Sequence, residues 1–259
     1  MTIRRRRSRG QAPDTSWDDL ADWYDGWAGA GSEHHRALAI PAVLELLALR
    51  QGERLLEIGC GPAPLAPAVA RAGASYTGVD LSPRMVAHAR ARHGRRGRFL
   101  VADAGDLAAC PKLGAGAFDA AVFLLSLQNI EPLEPALASA AWALRPGGRL
   151  VLLLTHPCFR IQRQSGWGWD AGRKLRYRRV DRYLTPLRVP LRPPSSGRGA
   201  PASSFHRPLG AYVNGMAAHG LALDGMREVA RPAPRGAPPA EARAEAEFPL
   251  FLALRGRKG

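Results

Sequence analysis

The sequence contains no apolar run of the length that a membrane-spanning helix needs. Such a helix takes roughly 20 consecutive apolar residues, and a run such as Leu150–Leu154 suits only a buried strand. The arginines at positions 4–7 are not followed by an apolar segment, so they do not have the pattern of a secretory signal. We therefore expect no membrane partner, and the arginine run has the composition of a solvated arm.

Cysteine is scarce, and lysine is much rarer than arginine. The three cysteines, Cys60, Cys110 and Cys158, have unrelated spacings, which favours a reducing cytoplasm over a disulfide framework and predicts no metal site. A net charge of +15 at pH 7 is compatible with a nucleic-acid partner. The abundance of arginine, alanine, glycine and proline is typical of GC-rich coding, however, so this charge is weak evidence for RNA or DNA binding.

A chain of 259 residues suits a single large domain. Residues 1–12 predict a disordered basic tail, and residues 13–259 one domain, either monomeric or homodimeric. Within that domain, residues 13–50 predict N-terminal cap helices. Residues 156–207 lack a clean hydrophobic period and predict an irregular insertion or lid on the substrate side, because so long a segment in a compact domain is usually functional. A second irregular loop is predicted over residues 230–246.

Strand-like and helix-like segments alternate elsewhere, which predicts a mainly parallel sheet with crossover helices. The predicted strands are Arg54–Ile58, Ser75–Asp80, Arg98–Asp103, Phe118–Leu124, Arg149–Thr155, Leu221–Val229 and Phe248–Leu254. The predicted helices are Glu33–Leu49, Leu65–Arg71, Pro83–His93, Leu133–Leu144 and Leu209–His219. Ser82 has the residue type and the position of an N-cap for the helix that begins at Pro83.

A glycine pair follows the first predicted strand, in the segment Glu57-Ile58-Gly59-Cys60-Gly61. Glycines here let backbone amides approach a ligand, and the N-terminus of the next helix favours a negative group. The second strand ends at Asp80, about 20 residues further on, where a carboxylate can accept hydrogen bonds from ribose hydroxyls. The third strand ends at Asp103, placed to meet an adenine amino group. The three strand ends together predict an adenosine-binding crevice.

The nicotinamide-dinucleotide fingerprint G-x-G-x-x-G is incomplete, because position 64 is proline. Residues 57–61 instead resemble the first motif of the class I S-adenosylmethionine-dependent methyltransferases, and residues 78–82 resemble their second-strand motif. Residues 101–104 are similar to the adenine-binding segment of that family, and residues 144–150 to the turn before its fifth strand. The chain as a whole resembles bacterial members of the small-molecule type.

The resemblance implies an α/β, Rossmann-like fold with a seven-stranded, mostly parallel sheet, helices on both faces, an antiparallel last strand and an insertion after the fifth strand. It implies S-adenosylmethionine as the cofactor. Cofactor-binding roles are implied for Glu57, Gly59, Cys60, Gly61, Asp80, Leu81, Asp103, Ala104, Leu125 and Gln128. Ala63 departs from the family pattern, in which a third glycine is usual, and this departure is the feature that would weaken cofactor binding.

Two residues are candidates for a direct role in methyl transfer, an in-line displacement that needs a nucleophile held against the methyl carbon. His156 directly follows the fifth strand, at the edge where open α/β sheets form active sites, and histidine titrates near neutrality. We expect it to be the base or a substrate anchor; the alternative is a loop histidine bonded to backbone.

Tyr24 lies in a Tyr-Asp segment similar to segments that fold over the cofactor in small-molecule methyltransferases. The alternative for Tyr24, and the preferred interpretation of Trp17, is aromatic packing of an amphipathic helix on the sheet.

The substrate-binding candidates are His35, Trp167, Trp169 and His206. The aromatic and arginine side chains of the insertion are compatible with a lid over a flat or anionic small molecule, or with a base-stacking surface for RNA. The Asn-Pro-Pro-Tyr signature of many enzymes that methylate nucleic-acid bases is absent after the fourth strand, where residues 125–128 read Leu-Ser-Leu-Gln. A small-molecule acceptor is therefore preferred.

The sequence thus predicts an S-adenosylmethionine-dependent methyltransferase that transfers a methyl group by in-line displacement to an oxygen or nitrogen atom of a small molecule. One alternative is an RNA methyltransferase that uses the basic aromatic insertion. The other is a cofactor-binding sensor or scaffold without transfer activity, which the proline-flanked Ala63 suggests.

Overall fold

The computed structural model describes residues 17–28, 32–191, 202–233 and 235–259. Its strands are β1 (Arg54–Ile58), β2 (Ser75–Asp80), β3 (Arg98–Val101), β4 (Phe118–Leu124), β5 (Leu144–Thr155), β6 (Ser165–Asp170), β7 (Leu175–Val180), β8 (Leu187–Leu191), β9 (Ala202–His206), β10 (Leu221–Val229) and β11 (Phe251–Lys258). Its α-helices are α1 (Ala21–Ala28), α2 (Ile40–Leu47), α3 (Ala66–Arg71), α4 (Pro83–His93), α5 (Leu133–Ala143), α6 (Leu209–Ala218) and α7 (Pro239–Glu247). A π-helical turn, His35–Ala39, precedes α2.

Seven strands form one sheet in the order β10-β11-β5-β4-β1-β2-β3. Strands β1 to β5 pair in parallel, whereas β11 is antiparallel to both of its neighbours, β5 and β10. The chain moves outward from β1 in one direction through β2 and β3, and in the other through β4 and β5. This reversal leaves a crevice beyond the carboxyl ends of β1 and β4, where open α/β sheets bind their ligands. The predicted Rossmann-like fold, with its antiparallel last strand, is confirmed.

Both faces of the sheet are covered by helices because the central strands are apolar on both sides. Leu55 and Val122 contribute to the cluster under α2, α3 and α4, and their neighbours Leu56 and Phe123 to the cluster under α5 and α6. All four side chains are fully buried. Neighbouring residues face opposite sides of the sheet because a strand has a two-residue period. Packing on both sides fixes the strand ends beneath the crevice.

The start of α4 is fixed as the sequence predicts. Ser82 is the N-cap, and its side-chain oxygen accepts a hydrogen bond from the backbone N–H of Met85 at 3.1 Å. Pro83 occupies the first helical turn, where a missing N–H costs nothing. The cap places the end of β2 and the start of α4 within one short turn beside the crevice.

Two regions predicted to be irregular contain regular secondary structure. The described part of the insertion has two antiparallel strand pairs, β6–β7 and β8–β9, and Trp167 and Trp169 of β6 lie opposite Arg178 and Arg176 of β7. The stretch predicted as a loop after β10 contains α7, whose residues are mostly alanine and glutamate and favour a helix. Three strand boundaries also differ: β3 ends at Val101, β5 begins at Leu144, and β11 runs from Phe251 to Lys258.

In the described part of the chain, no helix is long and apolar enough to cross a membrane, and no group of three metal-ligating side chains converges. The predicted basic tail, residues 1–12, lies outside the described residues, as does the proline-rich segment 192–201.

Candidate active site

The turn after β1 is tied to the end of β2 by backbone hydrogen bonds. The N–H groups of Gly59 and Cys60 both donate to the carbonyl oxygen of Val79, at 2.8 and 2.9 Å. Gly59 has φ +69°, and a Cβ atom built there would lie 2.6 Å from the Cβ of Ser126. Only glycine satisfies both the left-handed backbone and the close approach of the segment after β4.

Asp80 closes this turn from the other side. Its Oδ2 accepts a hydrogen bond from the Gly61 N–H at 2.8 Å, and its Oδ1 accepts one from the Ser82 N–H at 2.9 Å. Burial raises the pKa of this carboxyl, and the two backbone hydrogen bonds act in the opposite direction. Ala63 completes the turn with φ +57°, and its N–H donates to the carbonyl of Cys60 at 2.9 Å. Alanine therefore adopts here the left-handed conformation for which glycine has no steric cost.

A cavity of about 270 Å³ opens above this turn, here called the first cavity. It extends from the glycine turn past Asp80 to the segments that follow β3 and β4. Of the predicted cofactor residues, all but Gln128 line it: Glu57, Gly59, Cys60, Gly61, Asp80, Leu81, Asp103, Ala104 and Leu125. The sequence-predicted strand ends thus meet at one crevice.

The first cavity is an acidic site. Four carboxylates line it, from Glu57, Asp80, Asp103 and Glu131, and no lysine or arginine is among the described residues around it. Glu57 is 1% exposed and accepts a hydrogen bond from the Tyr76 hydroxyl. Burial raises the pKa of Glu57 from 4.5 to about 8, although the Tyr76 hydrogen bond lowers it. Such a lining favours a ligand that carries positive charge.

A second cavity of about 390 Å³ adjoins the first. Its apolar lining residues are Trp17, Leu20, Trp23, Tyr24, Leu125, Leu191, Leu250 and Phe251. Its polar lining residues are His34, His35, Gln128, Asn129, Thr155 and Gln162. Five residues line both cavities, namely Trp17, Tyr24, His35, Leu125 and Asn129. The two cavities are therefore neighbouring parts of one site.

Tyr24, on α1, is one of the residues at this junction. Its ring is edge-on to Trp17, with the ring centroids 5.5 Å apart, and its Cε1 atom lies 3.5 Å from the position that a Cβ of Gly61 would occupy. Burial, reinforced by the charges of Asp80 and Glu57, raises the pKa of Tyr24, so the hydroxyl keeps its proton at neutral pH.

His35 is the second titratable residue at the junction. It is 2% exposed and lies in the π-helical turn before α2, and its Nδ1 is hydrogen-bonded to the Ser32 hydroxyl at 2.7 Å. Burial lowers the pKa of His35 to about 4, with a smaller contribution from His34. Its imidazole is therefore neutral at physiological pH, the form that can accept a proton.

Helix α1 is held over the first cavity by ion pairs with α4. Asp22 pairs with Arg84 and with His88, the latter at 2.9 Å, and Asp25 pairs with Arg92 at 2.9 Å. The three basic residues follow one another at intervals of four, so they share one face of α4. This set of five residues, the α1–α4 ladder, positions Tyr24 above the glycine turn.

The segment after β4 forms the boundary between the cavities. Leu125 has φ +56°, a strained conformation for a leucine. Its neighbour Ser126 donates a hydrogen bond to the Ile58 carbonyl at 2.6 Å. The Gln128 amide donates to Thr155 Oγ1 at 3.1 Å and its Oε1 accepts from the Thr155 N–H at 3.0 Å, so Gln128 faces the second cavity rather than the first.

Comparison with known proteins shows which proteins this chain resembles. A family model described as a methyltransferase domain matches residues 56–152. A demethylmenaquinone methyltransferase of Tropheryma whipplei is 37% identical over 118 residues, which cover 45% of this chain and 48% of the relative. A ubiquinone biosynthesis O-methyltransferase of Xanthomonas axonopodis pv. citri is 33% identical over 132 residues, covering 49% and 54%. The chain spans about half the length of the curated relatives it matches.

A solved structure extends the match to nearly the whole fold. The S-adenosylmethionine dependent methyltransferase from Mesorhizobium loti has a TM-score of 0.67 and 28% identity, over 89% of this chain and 100% of that one. Residues 56–152 thus match a methyltransferase domain, and the fold resembles that of the class I S-adenosylmethionine-dependent methyltransferases. The matched domain and the fold support S-adenosylmethionine, the cofactor expected from the sequence.

The first cavity fits S-adenosylmethionine. S-adenosylmethionine carries a sulfonium and an ammonium group, which acidic side chains around the cavity complement; Glu131 is already paired with Arg207. A dinucleotide would instead bring a pyrophosphate, for which no cationic side chain is present among the described lining residues. Asp80, predicted to hold the ribose hydroxyls, and Asp103, predicted to meet the adenine, both line this cavity.

His156 does not have the placement that the sequence suggested for a base. It is 2% exposed and lines neither the first nor the second cavity. Its Nδ1 accepts a hydrogen bond from the Cys158 N–H at 3.2 Å, and its Nε2 is 2.9 Å from Glu228 Oε1. The Nε2 contact links the chain after β5 to β10, whereas the Nδ1 contact lies within the turn that follows Thr155. The catalytic role expected of His156 stays a prediction, and these contacts favour the alternative of a histidine bonded within the fold.

The aromatic residues of the insertion also lie away from the two cavities. Trp167 packs edge-on against Phe248, at 5.5 Å between ring centroids, and lies under three arginine side chains. Trp169 is 57% exposed on the hairpin. The Nε2 of His206 bonds the carbonyl of Tyr183 at 2.7 Å. None of these three expected substrate residues lines the first or the second cavity. Strand β7 packs on α7, and His206 lines a neighbouring cavity together with Gln128 and Thr155. Of the expected substrate residues, only His35 lines the second cavity.

Several lining residues were not among the candidates. Trp17, expected to pack on the sheet, lines both cavities, and the Trp23 side chain, 45% exposed, lines the second. Leu250 and Phe251 reach the second cavity from the beginning of β11. An exposed tryptophan in a short acidic helix was the available signal for α1; no local signal existed for Leu250 and Phe251.

Proposed function

We propose that the chain transfers a methyl group from S-adenosylmethionine, bound in the first cavity, to a small molecule bound in the second. The observation that carries this proposal is the shared boundary of the two cavities, formed by Trp17, Tyr24, His35, Leu125 and Asn129. An in-line displacement needs the nucleophile about 3 Å from the methyl carbon, so donor and acceptor must meet at one opening.

When bound, the cofactor supplies a methyl group on a positively charged sulfur. The lone pair of an acceptor oxygen or nitrogen forms the new bond to the methyl carbon, the electron pair of the broken carbon–sulfur bond stays on sulfur, and the acceptor proton leaves. His35 takes that proton in this proposal because its imidazole lies at the junction, and its lowered pKa means that it readily releases the proton again. Ser32 holds the imidazole in place through Nδ1. Tyr24 covers the reacting atoms and excludes water.

The relatives support a small-molecule acceptor. Their names refer to demethylmenaquinone and to ubiquinone biosynthesis, in which the methylated compounds are not macromolecules. The mainly apolar second cavity has the character of a small-molecule site. The basic insertion offers less support for RNA, because Trp167 is packed against Phe248 and its arginine neighbours rather than presented for base stacking.

The test is to follow the methyl label. The purified chain is incubated with S-adenosylmethionine labelled in the methyl group and with bacterial extract separated into small-molecule and RNA fractions. We expect label to appear in the small-molecule fraction and to be lost with Asp80→Asn. Label in the RNA fraction would show that the chain is an RNA methyltransferase instead. Binding of the cofactor without transfer of label to either fraction would favour a sensor or scaffold without transfer activity.

A further inference from the structure

The second cavity is uncharged as far as the structure describes it. Apart from two histidines, its described lining residues are either apolar or neutral amides and hydroxyls. No arginine, lysine, aspartate or glutamate is among them. Of the histidines, His35 is held neutral by burial. The contrast with the first cavity, which is lined by four carboxylates, is sharp.

The described arginines around the β6–β7 strand pair have partners elsewhere. Around the insertion, Arg160, Arg176 and Arg178 stack on the Trp167 ring, with their guanidinium carbons 5.3, 4.5 and 5.2 Å from its centroid. Arg176 also pairs with Glu241 at 2.9 Å. These contacts join the β6–β7 hairpin to α7. The arginines of the hairpin therefore do not serve as anchors for an anionic acceptor in the second cavity.

An ionised acceptor would be unfavourable in such a cavity. It would leave water without an oppositely charged side chain among the described lining residues, and a buried charge without such a partner is destabilised. A neutral ring system would instead contact Trp17, Leu20 and Trp23 and gain from burial of its apolar surface. Asn129, at the junction, offers both a donor and an acceptor for a single polar group.

We infer that the methyl acceptor is an uncharged, largely apolar ring compound that presents one hydroxyl or amino group to the junction of the two cavities. This inference rests on the proposed function and narrows its acceptor class. It also accounts for a base at the junction, since a neutral hydroxyl keeps its proton until methylation, whereas a carboxylate or thiolate acceptor needs none.

The inference is tested with three probes of one ring size: 2-naphthol, 2-naphthoate and 2-naphthylmethylammonium. Each is titrated by calorimetry at pH 7 into protein saturated with S-adenosylhomocysteine, so that no turnover occurs. We expect the neutral probe to bind at least about tenfold more tightly than either charged one. Naphthoate or the ammonium binding as tightly as naphthol would overturn the inference. Failure of all three to bind would overturn it too, because a 390 Å³ cavity admits a bicyclic ring.

A charge placed at the rim provides a sharper comparison. Gln162 is an exposed residue that lines the second cavity, and Gln162→Arg should raise naphthoate affinity about fivefold without raising that of naphthol. Gln51→Arg is the matched control, because Gln51 is also exposed and lines neither cavity. Equal effects of the two variants on naphthoate binding would contradict a cavity-specific explanation.

Titration with S-adenosylmethionine distinguishes failure of the proposed function from failure of the inferred acceptor class. If S-adenosylmethionine does not bind, the proposed function fails and the probes are uninformative about its acceptor. If S-adenosylmethionine binds and the charged probes are preferred, the proposed methyl transfer stands and the neutral acceptor class is wrong.

Discussion

Asp80 Oδ2 accepts a hydrogen bond from the backbone N–H of Gly61 at 2.8 Å, joining the end of β2 to the glycine turn after β1. The carboxylate is thereby oriented by the same turn that forms the floor of the first cavity. A residue that was expected to hold the ribose therefore also fixes the loop around it. Changes at this position should affect the cofactor site as a unit.

Asp80→Asn should weaken S-adenosylmethionine binding by at least about tenfold, because an amide NH2 group cannot accept the hydrogen bonds that both carboxylate oxygens now accept. Calorimetric titration measures the loss. Asp119→Asn is the control, since Asp119 pairs with Arg145 away from the two cavities. Equal cofactor affinity in Asp80→Asn and the unmodified protein would remove Asp80 from the site.

Cofactor affinity should rise with pH. The pKa of Glu57 is raised by burial to about 8, so the carboxyl is largely protonated at pH 6, and a cationic ligand favours its ionised form. Affinity for S-adenosylmethionine is expected to increase by up to about tenfold per pH unit between roughly pH 6 and 8. Calorimetry at pH 7 in buffers of different ionisation enthalpy should detect proton release on binding. Glu57→Gln should abolish both effects; a proton release that persists in that variant points to another group.

The raised pKa of Glu57 also affects the stability of the folded chain. Because the folded pKa of Glu57 lies above its ordinary value of 4.5, the folded chain holds this proton more tightly than the unfolded chain does. The free energy of unfolding of the cofactor-free protein should therefore fall between about pH 5 and pH 8. Denaturant titrations should show a flatter pH dependence for Glu57→Gln, and an unchanged slope would contradict the assignment.

The sequence predicted the part of the site that lies on the sheet, and much less of the part that covers it. The positions of Asp80 and Asp103 follow from where apolar strands end, and strand ends meet in any sheet of this topology. His156 also follows a strand, yet the chain after Thr155 turns toward β10, and a change of direction has no local signature. Trp17 reaches the cavities only because α1 packs on α4, a contact between segments far apart in the sequence.

The α1–α4 ladder should control release of the cofactor. Asp22→Asn combined with Asp25→Asn removes the acidic side of the ladder, and the dissociation rate of S-adenosylmethionine should rise several-fold because α1 opens more readily. Raising the salt concentration should accelerate dissociation in the unmodified protein by screening the same exposed pairs. Stopped-flow displacement measures both rates. A rate that responds to neither the variant nor salt would exclude α1 opening as the step that limits release.

His35→Gln should lower the turnover number by about a hundredfold or more while leaving S-adenosylmethionine affinity unchanged. His34→Gln is the matched control: His34 also lines the second cavity but not the first. Turnover is measured with labelled cofactor and the methyl-accepting fraction. If the two variants lose the same small amount of turnover, the proton acceptor is not His35.

His156→Ala should chiefly reduce stability. The substitution removes the acceptor for the Cys158 N–H and the partner of Glu228, which for a buried polar group costs about 1–3 kcal/mol. Denaturant unfolding gives the change, and cofactor affinity should be unaffected. A stable variant with lost turnover would restore His156 as a catalytic residue.

The most direct test of the account is parallel calorimetric titration of the purified chain with S-adenosylmethionine and with NAD. The acidic first cavity predicts micromolar binding of S-adenosylmethionine, a free energy of about −8 kcal/mol, and no measurable heat with NAD. Binding of NAD in preference to S-adenosylmethionine would contradict the cofactor assignment and, with it, the proposed methyl transfer.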